Sequence, residues 1–155
     1  MVRVLVTPII RTVRAVVVGL LGATALLFVG TTGAAAAPSG PSCVASARAC
    51  VDLSAQQAWL MHDGNIAYGP VPVATGKASF PTDVGTFRVF WKDRDHRSRL
   101  FDNAPMPYSV FYNGDEAFHQ GSITVRSHGC VRLKQRAAQT FYNTLHVGDV
   151  VQVTR

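Results

Sequence analysis

Two dipeptides typical of two-residue hairpin turns, Asp63-Gly64 and Asn113-Gly114, constrain the fold of this chain most strongly. Each lies between short runs rich in apolar, aromatic and β-branched residues, which predicts an antiparallel hairpin at each position. The expected strands are 57–61 and 66–68 around the first turn, and 110–112 and 117–119 around the second. The sequence therefore predicts a mainly β domain, either a sandwich or a partly open barrel.

The remaining regular structure is predicted from shorter signals. Strands are expected at 71–75, 86–91 and 147–153. One helix is expected in the C-terminal half, at 135–145, because apolar residues recur there at spacings of three and four. Residues 54–60 are compatible with a helix or a strand, and the sequence leaves that choice open.

The first 36 residues predict a secretory signal peptide. Arg3, Arg11 and Arg14 precede an uncharged apolar run at 15–29, which small residues follow. An uncleaved membrane anchor is the alternative, but a spanning helix needs about 20 apolar residues and this run is shorter. We expect export to the cell wall or extracytoplasmic space, with no stable membrane span after cleavage.

Cleavage after Ala36 leaves residues 37–49 as a linker that contains Cys43, and 50–155 as one domain. Three of the 15 Lys and Arg residues leave with the signal, so 12 basic and 9 acidic side chains remain and the net charge falls from +6 to +3. Such a mildly basic chain does not indicate a nucleic-acid partner. We expect a monomer.

The three cysteines are expected to divide into one disulfide-bonded pair and one remaining cysteine. Cys43 and Cys50 are separated by six residues, close enough to form a disulfide in an oxidising compartment. The alternative is that both are incidental thiols. Cys130 is then the odd cysteine, and an odd cysteine in an exported protein indicates an intermolecular bridge or a reactive thiol.

Cys130 ends the run Ser127-His128-Gly129-Cys130, and Arg132 follows two residues later. Nearby basic groups stabilise a thiolate, the form of cysteine that attacks carbonyl carbons. His119 ends the second predicted hairpin, and the loop 120–127 could bring Cys130 back beside it, which predicts a nucleophile and its base. The backbone N–H groups of Gly129 and Cys130 are expected to form an oxyanion hole.

Two other interpretations of these residues stay open. A free cysteine is commonly a buried packing residue. A zinc site from His119, His128 and Cys130 with one water is also conceivable. However, the sequence has no short-spaced pair of metal ligands such as C-x-x-C. We therefore expect neither a metal nor a cofactor.

His119 followed by Ser127-His128-Gly129-Cys130-Val131-Arg132 resembles the signature of the L,D-transpeptidase catalytic domain family. Similar segments extend over roughly residues 50–153, among them Gly69-Pro70-Val71-Pro72-Val73, Gly85-Thr86-Phe87-Arg88-Val89, Met106-Pro107-Tyr108 and Gly148-Asp149-Val150-Val151. The resemblance implies a mainly β domain with its cysteine on a loop. Eleven positions separate His119 from Cys130, fewer than in many members, so this loop is expected to be trimmed.

The resemblance also implies a role for each site residue. Cys130 would be the nucleophile and His119 the general base and acid, with His128 and Gly129 shaping the nucleophile turn. Ser127, Arg132 and Tyr108 would contact substrate. The basic residues of 92–99 could meet substrate carboxylates, although a solvated loop neutralised by its own aspartates is the favoured interpretation; they are Lys92, Arg94, His96, Arg97 and Arg99.

The implied reaction joins two stem peptides of peptidoglycan, which are the expected partners as donor and acceptor. Cys130 would take the acyl group of a tetrapeptide stem as a thioester and pass it to an amine of a second stem, giving a 3→3 cross-link. Carbapenems are expected to acylate the same thiol. The alternatives are an L,D-carboxypeptidase that trims tetrapeptide stems and a non-catalytic wall-binding module with the same fold.

Overall fold

The structure, a computed structural model, describes residues 40–155. The predicted signal peptide and its alternative, a membrane anchor, lie outside the described residues. Across 40–155, no helix has the length and apolar character that crossing a membrane requires.

Residues 40–155 form one nine-stranded sheet and one helix. The sheet is curled into a half barrel, and its strand order is β4-β9-β1-β2-β3-β8-β7-β6-β5. This confirms the predicted mainly β fold with a single helix. The elements are β1 (Ala47–Asp52), β2 (Gln57–His62), β3 (Asn65–Ala74), β4 (Gly85–Arg88), β5 (Trp91–Arg97), β6 (Pro105–Asn113), β7 (Glu116–Gln120), β8 (Val131–Leu133), α1 (Gln135–Thr144) and β9 (Val150–Thr154).

The long strand β3 connects the two halves of the sheet. It pairs antiparallel with β2 through its first part and with β8 through Val73 and Ala74. Two neighbouring pairs are parallel, β1 with β9 and β7 with β8. The β7–β8 pair matters for the site, because parallel strands run toward the same edge of the sheet.

The main core lies between the sheet and α1. Ala137, Ala138 and Phe141 form the buried stripe of the helix, and Phe118 of β7 and Val131 of β8 face it with no exposed surface. Side chains alternate between the two faces of a strand. The neighbours of Phe118 and Val131 in sequence therefore point away from α1, and that opposite face carries the candidate site.

Most local predictions agree with these elements. Both hairpins are present, as β2–β3 and β6–β7, and the helix prediction 135–145 agrees with α1. The open choice at 54–60 resolves as a turn followed by β2. The predicted strand 86–91 is wrong in part, because it divides between β4 and β5.

The segment assigned to the linker contributes to the sheet. β1 begins at Ala47, and both Ala47 and Ala49 are fully buried between β2 and β9. Cys43 and Cys50 are joined by a disulfide, as their spacing suggests, with 6.0 Å between their Cα atoms. The disulfide fastens the segment before β1 onto the first strand of the domain.

The loop interpretation of 92–99 is wrong, since Trp91–Arg97 is the edge strand β5 and pairs with β6. Lys92 does not lie near Cys130 and His119 but points to the end of α1. Its Nζ donates hydrogen bonds of 2.6 Å to the carbonyl oxygens of Tyr142 and Leu145, at the end of α1. A lysine there satisfies carbonyls that have no partner within the helix and interacts favourably with the negative end of the helix dipole.

Candidate active site

Cys130 follows a tight turn that only glycine fits well. Gly129 has a φ of +117°, a conformation that side-chain-bearing residues rarely adopt, and a Cβ there would lie 3.3 Å from Glu116 Oε1. The chain passes from this turn directly into β8, which begins at Val131. The position of Cys130 is therefore fixed by a strand on one side and a strained turn on the other.

Ser127 holds this turn from inside. Its hydroxyl donates to the carbonyl oxygen of Cys130 at 2.5 Å and accepts the N–H of Gly129 at 3.2 Å. The side chain is 1% exposed. The N–H groups of Gly129 and Cys130 were both expected to form the oxyanion hole. The N–H of Gly129 already donates within the turn, so only that of Cys130 is available for this role.

Thr82 supports the same turn from a distant segment. Its hydroxyl donates to the carbonyl oxygen of Gly129 at 2.6 Å and accepts the N–H of Gly76 at 2.9 Å. Thr82 is buried, as is the hydrogen bond to Gly129. Ser127 and Thr82 thus occupy both polar groups of Gly129, its N–H and its carbonyl.

His119 is held in one tautomer. Its Nδ1 lies 2.8 Å from the carbonyl oxygen of Gln120, which can only accept, so Nδ1 carries the proton and Nε2 is free to act as a base. The ring is 5% exposed. Burial, with a smaller contribution from the positive charge of Arg132, lowers the pKa of His119 to about 4 against the opposing effect of the hydrogen bond to Gln120. The imidazole is therefore neutral at neutral pH.

Register brings Cys130 and His119 together. Phe118 pairs with Val131 and His119 with Arg132, so Cys130 lies beside Ala117. Ala117 and His119 are two residues apart on one strand and share a face. Strand spacing and rise then give about 8 Å between the Cα atoms of Cys130 and His119, with both side chains on the same face.

Cys130 is held as a neutral thiol. Its Sγ donates to the carbonyl oxygen of Asp115 at 3.5 Å, and it packs against the small apolar cluster of Met106, Phe111 and Ala117. Burial raises the pKa of the thiol against the opposing effect of the hydrogen bond from the backbone of Ala117, and the negative charge of Glu116 adds to the rise more than Arg132 offsets it. The expected stabilising effect of Arg132 on the thiolate is present but smaller than these opposing effects, so the resting pair is a thiol and a neutral imidazole.

Cys130 and His119 both line one cavity of about 910 Å³. Exposed aromatic side chains form much of its wall, including Phe80, Trp91 and Phe101. His128 lies exposed at this wall, stacked on Phe101 at 4.6 Å between ring centroids and in edge contact with Phe80 at 5.1 Å. Its ring is therefore part of the cavity surface.

Arg132 also lines the cavity, on the His119 side of Cys130. Its Nη1 donates to the carbonyl oxygen of Val125 at 3.3 Å, which supports the loop between β7 and β8. Its side chain runs across Gly121, where a Cβ would meet Arg132 Cδ at 2.9 Å. A guanidinium has five donors, so most of them stay available for a bound group.

Several residues expected at the site lie elsewhere. Tyr108 lines a separate small pocket, where its hydroxyl accepts a 2.8 Å hydrogen bond from Gln139 of α1. Arg94 lines that same pocket, and Arg97 donates to the carbonyl oxygen of Asn103. Of the five basic residues expected at 92–99, only His96 and Arg99 reach the cavity.

Side chains along β5 and β6 do not alternate regularly between the two faces of the sheet, which explains why Tyr108 lies away from Cys130. Met106 and Phe111 both belong to the cluster beneath Cys130, although residues five apart face opposite sides of a regular strand. Tyr108, between them, has a φ of +61°. The strand therefore changes its facing near Tyr108, and the tyrosine turns toward α1.

Sequence reasoning missed Thr82 and Asp115, whereas it named His96 among the basic residues that could meet substrate. His96 Nδ1 lies 3.1 Å from Asp93 Oδ2, and its ring contacts Trp91 and Phe111 at centroid distances of 5.1 and 5.0 Å. The turn signal next to Asp115 placed it at a hairpin tip, but nothing in the sequence placed that tip beside Cys130. Among residues 40–155, no group of three or more His, Cys, Asp or Glu side chains could hold a metal ion.

Comparison with known proteins places these features in a family. Residues 46–153 match the L,D-transpeptidase catalytic domain family, YkuD. No match was found among curated proteins.

Several solved structures with the same fold are L,D-transpeptidases. One from Stackebrandtia nassauensis is 33% identical, with a TM-score of 0.66, covering 69% of this chain and 54% of that one. One from Mycobacterium smegmatis is 25% identical, with a TM-score of 0.62 and coverages of 69% and 58%. L,D-transpeptidase 3 from Mycobacterium tuberculosis, in complex with a faropenem-derived adduct, is 20% identical, with a TM-score of 0.61 and coverages of 69% and 59%, and shares the fold. The chain thus spans little more than half the length of these relatives.

Proposed function

Because the chain belongs to the L,D-transpeptidase catalytic domain family, we propose that it is a peptidoglycan L,D-transpeptidase that forms 3→3 cross-links through a thioester on Cys130. One observation carries the proposal. Cys130 and His119 lie on the same face of the β7–β8 pair and line one cavity, with Nε2 of His119 unoccupied. A thiol and a correctly oriented neutral imidazole make an activated nucleophile and its base.

The first half of the reaction forms the thioester. His119 Nε2 takes the proton from Cys130 Sγ as the sulfur attacks the carbonyl carbon of the third residue of a tetrapeptide stem. The S–C bond forms, the C–N bond to the terminal residue breaks, and His119 gives its proton to the leaving amine. Since the resting pair is neutral, thiolate forms only as it attacks, which protects the thiol from other reagents.

The second half forms the cross-link. An amine of a second stem loses its proton to His119 and attacks the thioester carbonyl, the new C–N bond forms, and the C–S bond breaks. Cys130 Sγ then takes the proton back. Incoming and leaving amines exchange protons with the same Nε2, so both occupy the His119 side of the cavity.

Three surrounding residues and the backbone N–H of Cys130 complete this mechanism. The N–H of Cys130 is the proposed donor to the developing oxyanion. Arg132 lies opposite His119 in the strand register, so its guanidinium is suited to the carboxylate of the leaving residue. Ser127 and Thr82 act as positioning residues, because they hold Gly129 and thereby the direction of Sγ.

The proposal includes where the protein acts. We infer export through the signal peptide of residues 1–36, followed by action on stem peptides in the cell wall as a monomer. The disulfide between Cys43 and Cys50 supports an oxidising compartment. It also leaves Cys130 as the free cysteine of residues 40–155.

Product analysis tests the proposed function. The purified protein is incubated with disaccharide-tetrapeptide as the only substrate, and the products are identified by mass spectrometry. Dimers with 3→3 links are expected, and none with Cys130→Ala or His119→Ala. Tripeptide monomers without dimers would instead establish a carboxypeptidase.

Acylation by a carbapenem separates an enzyme from a non-catalytic wall-binding module. A mass increase equal to one carbapenem is expected on the wild-type chain and not on Cys130→Ala. An unmodified wild-type protein that also leaves the tetrapeptide intact would support the binding module. An adduct that persists in Cys130→Ala would show that the nucleophile is another residue.

A further inference from the structure

Charged side chains of both signs line the cavity around Cys130. Asp115 is the one acidic side chain among the described residues that line it, and it lies beside the nucleophile, with its carbonyl oxygen 3.5 Å from Cys130 Sγ. The basic side chains that line the cavity include Arg132 and Arg99. A lone carboxylate in such a cavity offers a site of its own for a cation.

The direction between these charges follows from the strand register. Ala117 and His119 share one face of β7, about 7 Å apart along the chain. Asp115 lies in the turn just before β7, on the other side of Ala117 from His119, and it also lines the cavity. Cys130 lies beside Ala117, and Arg132 beside His119. Cys130 therefore lies between Asp115 on one side and His119 with Arg132 on the other.

Asp115 is also free to bind, unlike the acid next to it. Glu116 is half-buried, accepts the N–H of Asp83 at 2.9 Å and lies 3.4 Å from the side-chain amide of Asn113. Asp115 is exposed, and within residues 40–155 its carboxylate takes part in no ion pair. Its backbone is fixed at the hairpin tip, so its carboxylate is presented from a well-defined position.

If the proposed function holds, the reaction chemistry determines which part of the donor lies at each end of the cavity. Both amines, leaving and incoming, must lie where His119 Nε2 can exchange a proton with them. The acyl residue, which stays on Cys130 as a thioester, then extends toward the other end. Its side chain is the part of the donor that comes closest to Asp115.

We propose that Asp115 is a specificity-determining residue that binds the ammonium group on the side chain of the donor's third residue. A carboxylate and an ammonium form a charge-assisted hydrogen bond, which is stronger than a neutral one. The donor is then bound by charge at both ends, with its side-chain ammonium at Asp115 and its terminal carboxylate at Arg132. A donor bound in the reverse direction would place its carboxylate at Asp115 and its ammonium at Arg132, so like charges would meet at each end.

Two synthetic tetrapeptide donors that differ only at the third residue test this proposal, one with lysine and one with Nε-acetyl-lysine. The measurement is the release of the donor's terminal residue, D-alanine, as kcat/KM, without added acceptor. The wild-type chain is expected to favour lysine by roughly tenfold, the size of one charge-assisted hydrogen bond. Asp115→Asn is expected to lose this preference. Asp63→Asn, the same change at an exposed turn in the other half of the sheet, is the matched control and should keep it.

Other outcomes identify which statement fails. If Asp115→Asn releases D-alanine with the wild-type preference, the assignment of Asp115 is wrong while the enzyme activity stands. A loss confined to transfer onto an amine acceptor would make Asp115 an acceptor residue and overturn the donor assignment. If the wild-type chain releases D-alanine from neither donor, the proposed function is overturned and this inference falls with it.

Discussion

The side-chain hydroxyl of Thr82 donates a 2.6 Å hydrogen bond to the carbonyl oxygen of Gly129, 47 residues further along the chain. The same hydroxyl accepts the N–H of Gly76, so one buried oxygen joins the segment after β3 to the nucleophile turn. Removing it leaves the buried carbonyl of Gly129 and the partly buried N–H of Gly76 without partners. The turn that orients Cys130 thus depends on a residue that touches neither Cys130 nor His119.

Thr82→Val should lower both activity and stability, since its shape is retained but its hydroxyl is lost. Each buried group left unsatisfied costs about 1–3 kcal/mol of unfolding free energy. We expect a lower denaturant midpoint and a fall in the carbapenem acylation rate of about tenfold. Thr82→Ser, which keeps the hydroxyl, should retain most of the acylation rate. Equal rates in Thr82→Val and the wild-type chain would remove Thr82 from the positioning residues.

Gly129→Ala should abolish acylation of Cys130. The alanine must adopt a φ of +117°, and its Cβ would lie 3.3 Å from Glu116 Oε1, so the turn has to move. Gly148→Ala is the matched control, because Gly148 also has a positive φ, +96°, but a Cβ at that position would meet no atom within 4 Å. Both variants should lose about 1 kcal/mol or more of stability. Only Gly129→Ala should lose acylation at a temperature where both are folded.

Folding stability should fall as the pH is lowered from about 6.5 toward 4, in part because of His119. Its pKa is about 4 in the folded chain, below the ordinary value of 6.5, so the unfolded chain binds the proton more readily in this window. At pH 5 this costs about 2 kcal/mol relative to neutral pH. His119→Gln should show a smaller loss between pH 7 and pH 5 in urea unfolding. An identical loss would show that His119 titrates normally.

Alkylation of Cys130 by iodoacetamide should become faster as the pH rises. The rise should continue above the pH range in which an ordinary thiol titrates. Burial raises the thiol pKa, so little thiolate exists at neutral pH in the absence of substrate. Free cysteine in the same buffer is the reference. A rate that is already maximal near pH 6 would indicate a standing thiolate–imidazolium pair and contradict the neutral resting state.

The local part of the fold could be predicted from the sequence. Both hairpins follow from Asp63-Gly64 and Asn113-Gly114, because a two-residue turn encodes its own geometry. The helix at 135–144 follows from its apolar spacing. Strand β8, with three residues, was missed because so short a segment shows no periodicity and forms only through long-range pairing with β3 and β7.

The site was predictable in its chemistry but not in its surroundings. Cys130 and His119 could be proposed from residue type and from the motif around them. Tyr108 was misplaced because the change of facing in β6 leaves no mark in the sequence. Thr82 and Asp115 reach the site through contacts between distant segments, which no local pattern contains.

Strand β9 lies between β1 and β4, and it pairs parallel with the first and antiparallel with the second. While residues 150–154 are still inside a ribosome or a transport channel, β1 has one open edge and β4 has no strand partner. The sheet therefore cannot be completed during synthesis, and folding has to wait until that segment is released. For the export proposed above, this order of events would keep the sheet incomplete until transport is finished.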